Sequence, residues 1–129
     1  MRQSKLTQAK RQYLILRLCQ GLSVLKNPQE VAEALTDLLT PKEIETIAKR
    51  LEIAELLIKN KDYQIIRDEL KVGFSTIARV NTWLNLSGEG FKIILSRRPA
   101  EAKPRKLEER FDPYSWQNIK RRYSMSLLD

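Results

Sequence analysis

Apolar positions recur along the chain at the spacing of an α-helix. Leu14, Leu18, Leu22 and Leu25 follow one another at intervals of four, four and three residues, which is the pattern of one helix face. The residues between them are also largely apolar, in a run that begins YLILRLC at Tyr13. The pattern predicts a first helix from Tyr13 onward that needs burial on more than one side.

Two further helices are predicted by their starting sequences, NPQE at residues 27–30 and TPKE at residues 40–43. In each, a polar side chain suits the capping position, proline the first helical position, and glutamate reaches back to the cap. The apolar residues that follow share one face of each helix. They are Val31, Ala34, Leu35, Leu38 and Leu39 in the second helix, and Ile44, Ile47, Ala48, Leu51, Ala54, Leu57 and Ile58 in the third.

Two short helices joined by a tight turn are predicted next. Asp62 is suited to cap a helix that runs to Leu70, residues 71–73 form a glycine-containing turn, and another helix follows from Phe74 to Asn85. This arrangement is typical of a helix-turn-helix unit, in which the first helix braces a second that enters the major groove of DNA. A helical hairpin that only packs gives the same pattern. The inward positions are Ile66, Leu70, Ile77, Val80 and Leu84.

The charge of the chain favours a polyanionic partner. Among 129 residues, 24 are Lys or Arg and 16 are Asp or Glu, which gives a formal net charge of +8. This balance fits nucleic acid or an anionic membrane surface, and charge alone does not distinguish the two. A basic protein without a charged partner is the remaining alternative.

The residue inventory argues against several chemistries. The chain has no histidine, and its single cysteine, Cys19, provides neither an internal disulfide nor a set of thiolates for zinc. No nucleophile with its base and no phosphate-binding loop is recognisable, so we expect neither an enzyme nor a cofactor. Cys19 lies in an apolar run and is predicted to be a small buried hydrophobe. Arg17 interrupts that run after a polar N-terminus, so neither a signal peptide nor a transmembrane span is predicted, and a cytoplasmic location is expected.

The stretch LTPKEIETIAKRLEIAELLIKNKDYQIIRDELKVGFSTIARVNTWLNL, residues 39–86, resembles the Trp repressor family of bacterial helix-turn-helix proteins. Its segments RLEIAELL and IARVN, with GFKIIL further on, are more similar to the YerC/YecD-type branch than to the tryptophan-sensing repressor. The resemblance implies an all-α, six-helix domain over residues 1–97, with the helix-turn-helix at about 62–86. It further implies an intertwined homodimer that presents two such units to successive major grooves of a pseudo-palindromic operator.

The resemblance also implies which residues meet double-stranded DNA. They lie on the bracing helix, in the turn and on the outer side of the second helix, which we call the reading helix. These candidates are Gln64, Asp68, Lys71, Phe74, Ser75, Thr76, Ala78, Arg79 and Thr82.

The resemblance also implies a pocket for a small effector, but two of its residues differ from those of the tryptophan-sensing repressor. In the tryptophan-sensing repressor the indole lies between two arginines, whose positions here are Arg50 and Arg79. Val80 stands where that repressor has a glycine, and Trp83 stands where it has a serine near the ligand. We therefore predict that tryptophan is not the corepressor. Either a side chain fills the pocket and DNA binding is constitutive, or a different small effector binds.

Residues 98–129 lie beyond the resemblance. A charged, proline-containing linker precedes Trp116, Ile119, Tyr123 and Leu127, whose spacing predicts an amphipathic C-terminal helix. This helix is suited to brace the dimer, to bind a partner protein, to follow DNA phosphates, or only to cover its own core. The sequence thus predicts a dimeric DNA-binding transcriptional regulator, and alternatively a protein-interaction module that uses the helix-turn-helix scaffold and this extension.

Overall fold

A computed structural model describes residues 5–100, which form six α-helices and, within this range, no strand. The helices are α1 Gln8–Ser23, α2 Pro28–Leu38, α3 Pro41–Ile58, α4 Tyr63–Leu70, α5 Phe74–Leu86 and α6 Glu89–Arg97. The all-α fold class and the six helices are confirmed. The described residues divide into two compact units between Leu39 and Thr40. The predicted C-terminal helix lies outside the described residues.

Helix α1 begins earlier than its apolar pattern predicts. The side-chain oxygen of Thr7 accepts a hydrogen bond from the backbone N–H of Lys10 at 3.1 Å, which caps the helix ahead of Gln8. No residue of α1 is buried in the single chain. Cys19 is accordingly exposed, so the prediction of a buried cysteine is wrong for the chain by itself.

The two predicted capping sequences form hydrogen bonds at the starts of α2 and α3. Asn27 Oδ1 accepts from the N–H of Glu30 at 2.9 Å, while the Glu30 carboxylate accepts from the N–H of Lys26, one residue before the predicted position. At α3 the reciprocal box is complete. The Glu43 N–H donates to Thr40 Oγ1 at 3.2 Å, and the Thr40 N–H donates to Glu43 Oε1 at 2.8 Å.

The core of the second unit is built where α3, α4 and α5 meet. Its buried residues are Ile53, Ala54, Ile66, Ile77 and Val80. The inward positions predicted for α4 and α5 are confirmed, because Leu70 and Leu84 pack against this core as half-buried residues. The face predicted for α3 is only partly right. Ile53, outside the predicted stripe, is fully buried, whereas Ile47 and Ile58 within it are about half exposed.

Helix α6 is held against α3 by packing and by charge. Phe91 and Leu95 pack on the core from one side of α6. After the last turn of α6, Arg98 donates from Nη1 to Glu52 Oε1 at 2.7 Å, and its Nη2 pairs with the carboxylate of Glu55. Two partly buried carboxylates around one guanidinium therefore fix where α6 ends on α3. Across the described helices, none is both long and apolar enough to cross a membrane.

Candidate nucleic-acid interface

Helix α4 presents its polar side outward because its apolar side is anchored in the core. Ile66 is fully buried, so residues two positions to either side of it point away from α3. Gln64 and Asp68 both lie on this exposed side, one turn apart, with Gln64 Nε2 3.4 Å from Asp68 Oδ2. Asp62 immediately precedes the helix, but its side chain makes no capping hydrogen bond, contrary to the sequence prediction.

The turn between α4 and α5 depends on a lysine in an unusual backbone conformation. Lys71 has φ 54° and ψ 51°, in the left-handed region, and its N–H donates to the carbonyl of Arg67 at 2.8 Å. A non-glycine residue in this region costs about 1–2 kcal/mol relative to glycine. The Lys71 side chain is exposed at the turn. Lysine at this position therefore lowers local stability relative to glycine and places a positive charge between the two helices.

Helix α5 buries one side and exposes the other. Ile77 and Val80 are 0% and 1% exposed, and they direct the opposite side of the helix to solvent. That exposed side carries five of the six residues of α5 that were predicted to contact DNA, while the sixth, Thr76, is half-buried. The five are Phe74, Ser75, Ala78, Arg79 and Thr82.

The start of α5 has backbone donors available to an anion. Gly73 occupies the capping position, and no side chain caps the helix. The first N–H groups of a helix have no partner within the helix, and the macrodipole places partial positive charge there. Ser75 and Thr76 add hydroxyl donors beside these N–H groups. Thr82, further along, donates to the carbonyl of Ala78 at 3.0 Å.

Arg67, which was not among the predicted site residues, lies in the last turn of α4 and contacts the first residue of α5. Its guanidinium carbon is 4.7 Å from the ring centroid of Phe74, and its Nε is 3.6 Å from Asp68 Oδ1. The contact with Phe74 joins the last turn of α4 to the first turn of α5. The sequence signal was a basic residue in the last turn of one helix and an aromatic residue at the start of the next. The six positions between them carry no periodicity that would pair the two side chains.

Two of the four predicted effector-pocket residues come together. The guanidinium carbon of Arg50 lies 5.3 Å from the ring centroid of Trp83, so α3 and α5 meet through a cation–π contact. Both residues border a cavity of about 420 Å³, and Phe91 and Ile94 of α6 also line it. The other two predicted pocket residues, both of which the structure describes, do not line this cavity. Arg79 is exposed, and Val80 is buried in the core.

Comparison with known proteins agrees with this architecture. The profile of the family described as "Trp repressor protein" matches residues 14–99. The chain is also 32% identical over 81 residues to the uncharacterized protein YerC of Bacillus subtilis (strain 168), a match that covers 63% of this chain and 78% of YerC. No solved structure matches the chain significantly.

Proposed function

The chain belongs to the Trp repressor family, and from this membership we propose that it is a sequence-specific transcriptional repressor that binds double-stranded DNA through α4 and α5. The observation that carries the proposal is the two-sided character of α5. Ile77 and Val80 fix it to the core, while Arg79 and its neighbours are exposed. A helix held in this way is suited to enter a major groove.

In this proposal the protein binds a pseudo-palindromic operator as a homodimer. The dimer is supported by large apolar side chains that remain exposed in a single chain. In α1, Tyr13 is 53% exposed, Leu14 45% and Leu18 48%. In α6, Ile93 is 47% exposed and Ile94 48%. Burying such faces between two subunits contributes about 25 cal/mol for each Å² removed from water.

Residue roles follow from where each side chain lies. The exposed Arg79 supplies donors for a base edge or a phosphate, and Lys71 supplies a charge at the turn. Ser75, with the free N–H groups at the start of α5, binds a phosphate oxygen. Gln64 and Asp68, which are one turn apart on α4, lie at the edge of the groove. The net charge of +8 adds a general attraction to DNA.

Arg79→Ala is expected to weaken binding to the operator by about 1–3 kcal/mol, because one exposed guanidinium is lost from the reading helix. The affinity is measured by fluorescence anisotropy across a salt series, on a duplex selected from random DNA. Lys92→Ala is the matched control, since it removes one positive charge from the exposed side of α6. Light scattering checks that both variants keep the oligomeric state of the parent.

Equal affinity of the parent and Arg79→Ala at every salt concentration would contradict the placement of α5 in the groove. Binding through Z phosphates weakens with a log–log salt slope of about −0.9Z. If the parent chain instead captures a protein partner with little salt dependence, and selects no duplex, the interaction-module alternative is favoured.

We further propose that DNA binding does not need tryptophan as corepressor. Trp83 already places an indole against the Arg50 guanidinium, at 5.3 Å, and Val80 fills space within the core. Constitutive binding is the form that we favour, and a different small effector in the cavity beside Arg50 is the alternative.

No rise in the thermal midpoint is therefore expected when millimolar L-tryptophan is added. A ligand at 100 times its Kd stabilises the native state by about 2.7 kcal/mol, which raises the midpoint of a small domain by several degrees. Differential scanning calorimetry is the measurement, because tryptophan fluorescence would be confounded by the ligand. A clear rise in midpoint together with tighter operator binding would refute this proposal.

A further inference from the structure

The exposed side of α5 is chemically unlike a general phosphate-binding surface. Arg79 is the one charged residue of this helix. Phe74 presents a ring, Ala78 presents a methyl group, and Thr82 presents a methyl group because its hydroxyl donates to the Ala78 carbonyl. These three residues lie at spacings of four, on one line along the exposed side. The surface is therefore largely apolar where it would face the floor of a groove.

Phe74 is the largest apolar group on that line, and it is held in one place. Phe74 is 44% exposed. Arg67 stacks on its ring with 4.7 Å between the guanidinium carbon and the centroid. A cation above one face restrains the ring, and the exposed part of the ring remains open to a partner. An exposed but restrained aromatic is suited to contact a partner rather than to stabilise the fold.

The major groove offers one apolar group that such a ring can distinguish. Thymine carries a 5-methyl group there, and apolar side chains, including phenylalanine, contact it in direct readout. Cytosine and uracil present hydrogen at the same position. The first turn of a reading helix is the part that meets base edges in helix-turn-helix proteins, and Phe74 is the first residue of α5.

Resting on the DNA-binding function proposed above, we propose that Phe74 reads a thymine in each operator half-site through its 5-methyl group, and that Arg67 is the positioning residue for its ring. Arg67 acts through the stacked contact across the turn, and its charge remains available to the DNA backbone. Arg79 supplies the polar part of the readout, and Phe74 supplies the apolar part.

The test uses the full chain and duplexes selected by it from random DNA. In the selected duplex, each thymine is replaced singly by uracil, which removes one methyl group and leaves base pairing unchanged. One thymine in each half-site is expected to lose about fourfold in affinity, the effect of removing one buried methyl group. With Phe74→Ala, thymine and uracil at that position are expected to bind equally, while the response to uracil at all other positions stays that of the parent.

Arg67→Lys separates positioning from charge. The variant keeps one positive charge, so the salt slope of binding should match that of the parent. It loses the guanidinium that lies over the Phe74 ring, so the thymine preference should fall. Circular dichroism confirms that both variants are folded before binding is compared.

The results separate the thymine readout, the positioning role of Arg67 and the proposed DNA binding. A selected duplex in which no thymine is sensitive to uracil, or in which Phe74→Ala keeps the sensitivity, overturns the thymine readout while DNA binding stands. A full thymine preference in Arg67→Lys overturns the positioning role alone. If no duplex is enriched at all, the proposed function fails, and this inference fails with it.

Discussion

Ile53→Asp is expected to abolish the folded state. Ile53 is 0% exposed at the centre of the core formed by α3, α4 and α5. A carboxylate placed there has no partner, and an unpaired buried charge costs several kcal/mol, in addition to the lost apolar contacts. The whole free energy of unfolding of a domain is roughly 5–15 kcal/mol. The substitution should therefore leave a chain without a cooperative thermal transition.

Ile65→Asp is the matched control. Ile65 is 41% exposed in the first turn of α4, where an added carboxylate interacts favourably with the helix dipole. Thermal and urea unfolding, followed by circular dichroism, should show the control close to the parent. An Ile53→Asp protein that melts cooperatively within a few degrees of the parent would show that Ile53 does not lie in the core.

Gly88→Ala is expected to lower the free energy of unfolding by about 2–4 kcal/mol. Gly88 joins α5 to α6 with φ 62°, and a Cβ atom there would lie 2.8 Å from the carbonyl oxygen of Leu84. The neighbour is backbone within a helix, so it cannot move aside without breaking the last turn of α5. A domain of this size should then melt lower by roughly 10–20 °C.

Gly90→Ala provides the comparison for that experiment. Nothing lies within 4 Å of the corresponding Cβ position, and alanine in place of glycine within a helix gains about 0.5–1 kcal/mol. The two alanine variants, two residues apart, should thus change the melting temperature in opposite directions in calorimetry. If Gly88→Ala melts at or above the parent, the left-handed turn before α6 is not as described.

Features that depend on near neighbours in the chain could be predicted from the sequence. Thr40 and Glu43 form the expected reciprocal capping bonds because the bonded groups lie within three residues of one another. The inward positions of α4 and α5 were also predicted correctly. Each of these short helices has one narrow apolar stripe, which leaves a single way to bury Ile66 or Ile77.

The ends of the helices were predicted less accurately from the sequence than their inward faces. The apolar pattern started α1 at Tyr13, whereas the capping hydroxyl of Thr7 extends it to Gln8. Hydrophobic spacing cannot detect a polar first turn, because the spacing records only apolar positions. Asp62 shows the opposite error, since a residue of the right type for a cap makes no capping bond.

The tertiary structure alone decided how the helices use their wide apolar surfaces and which distant residues meet. Helix α3 is apolar over more than one stripe, so its period could not tell that Ile53 would be buried and Ile58 left half exposed. That choice depends on where α4, α5 and α6 cross it. The stack of Arg67 on Phe74 and the contact of Arg50 with Trp83 arise in the same way. Helical period determines which residues share a face, but only the crossing of two helices determines which faces touch.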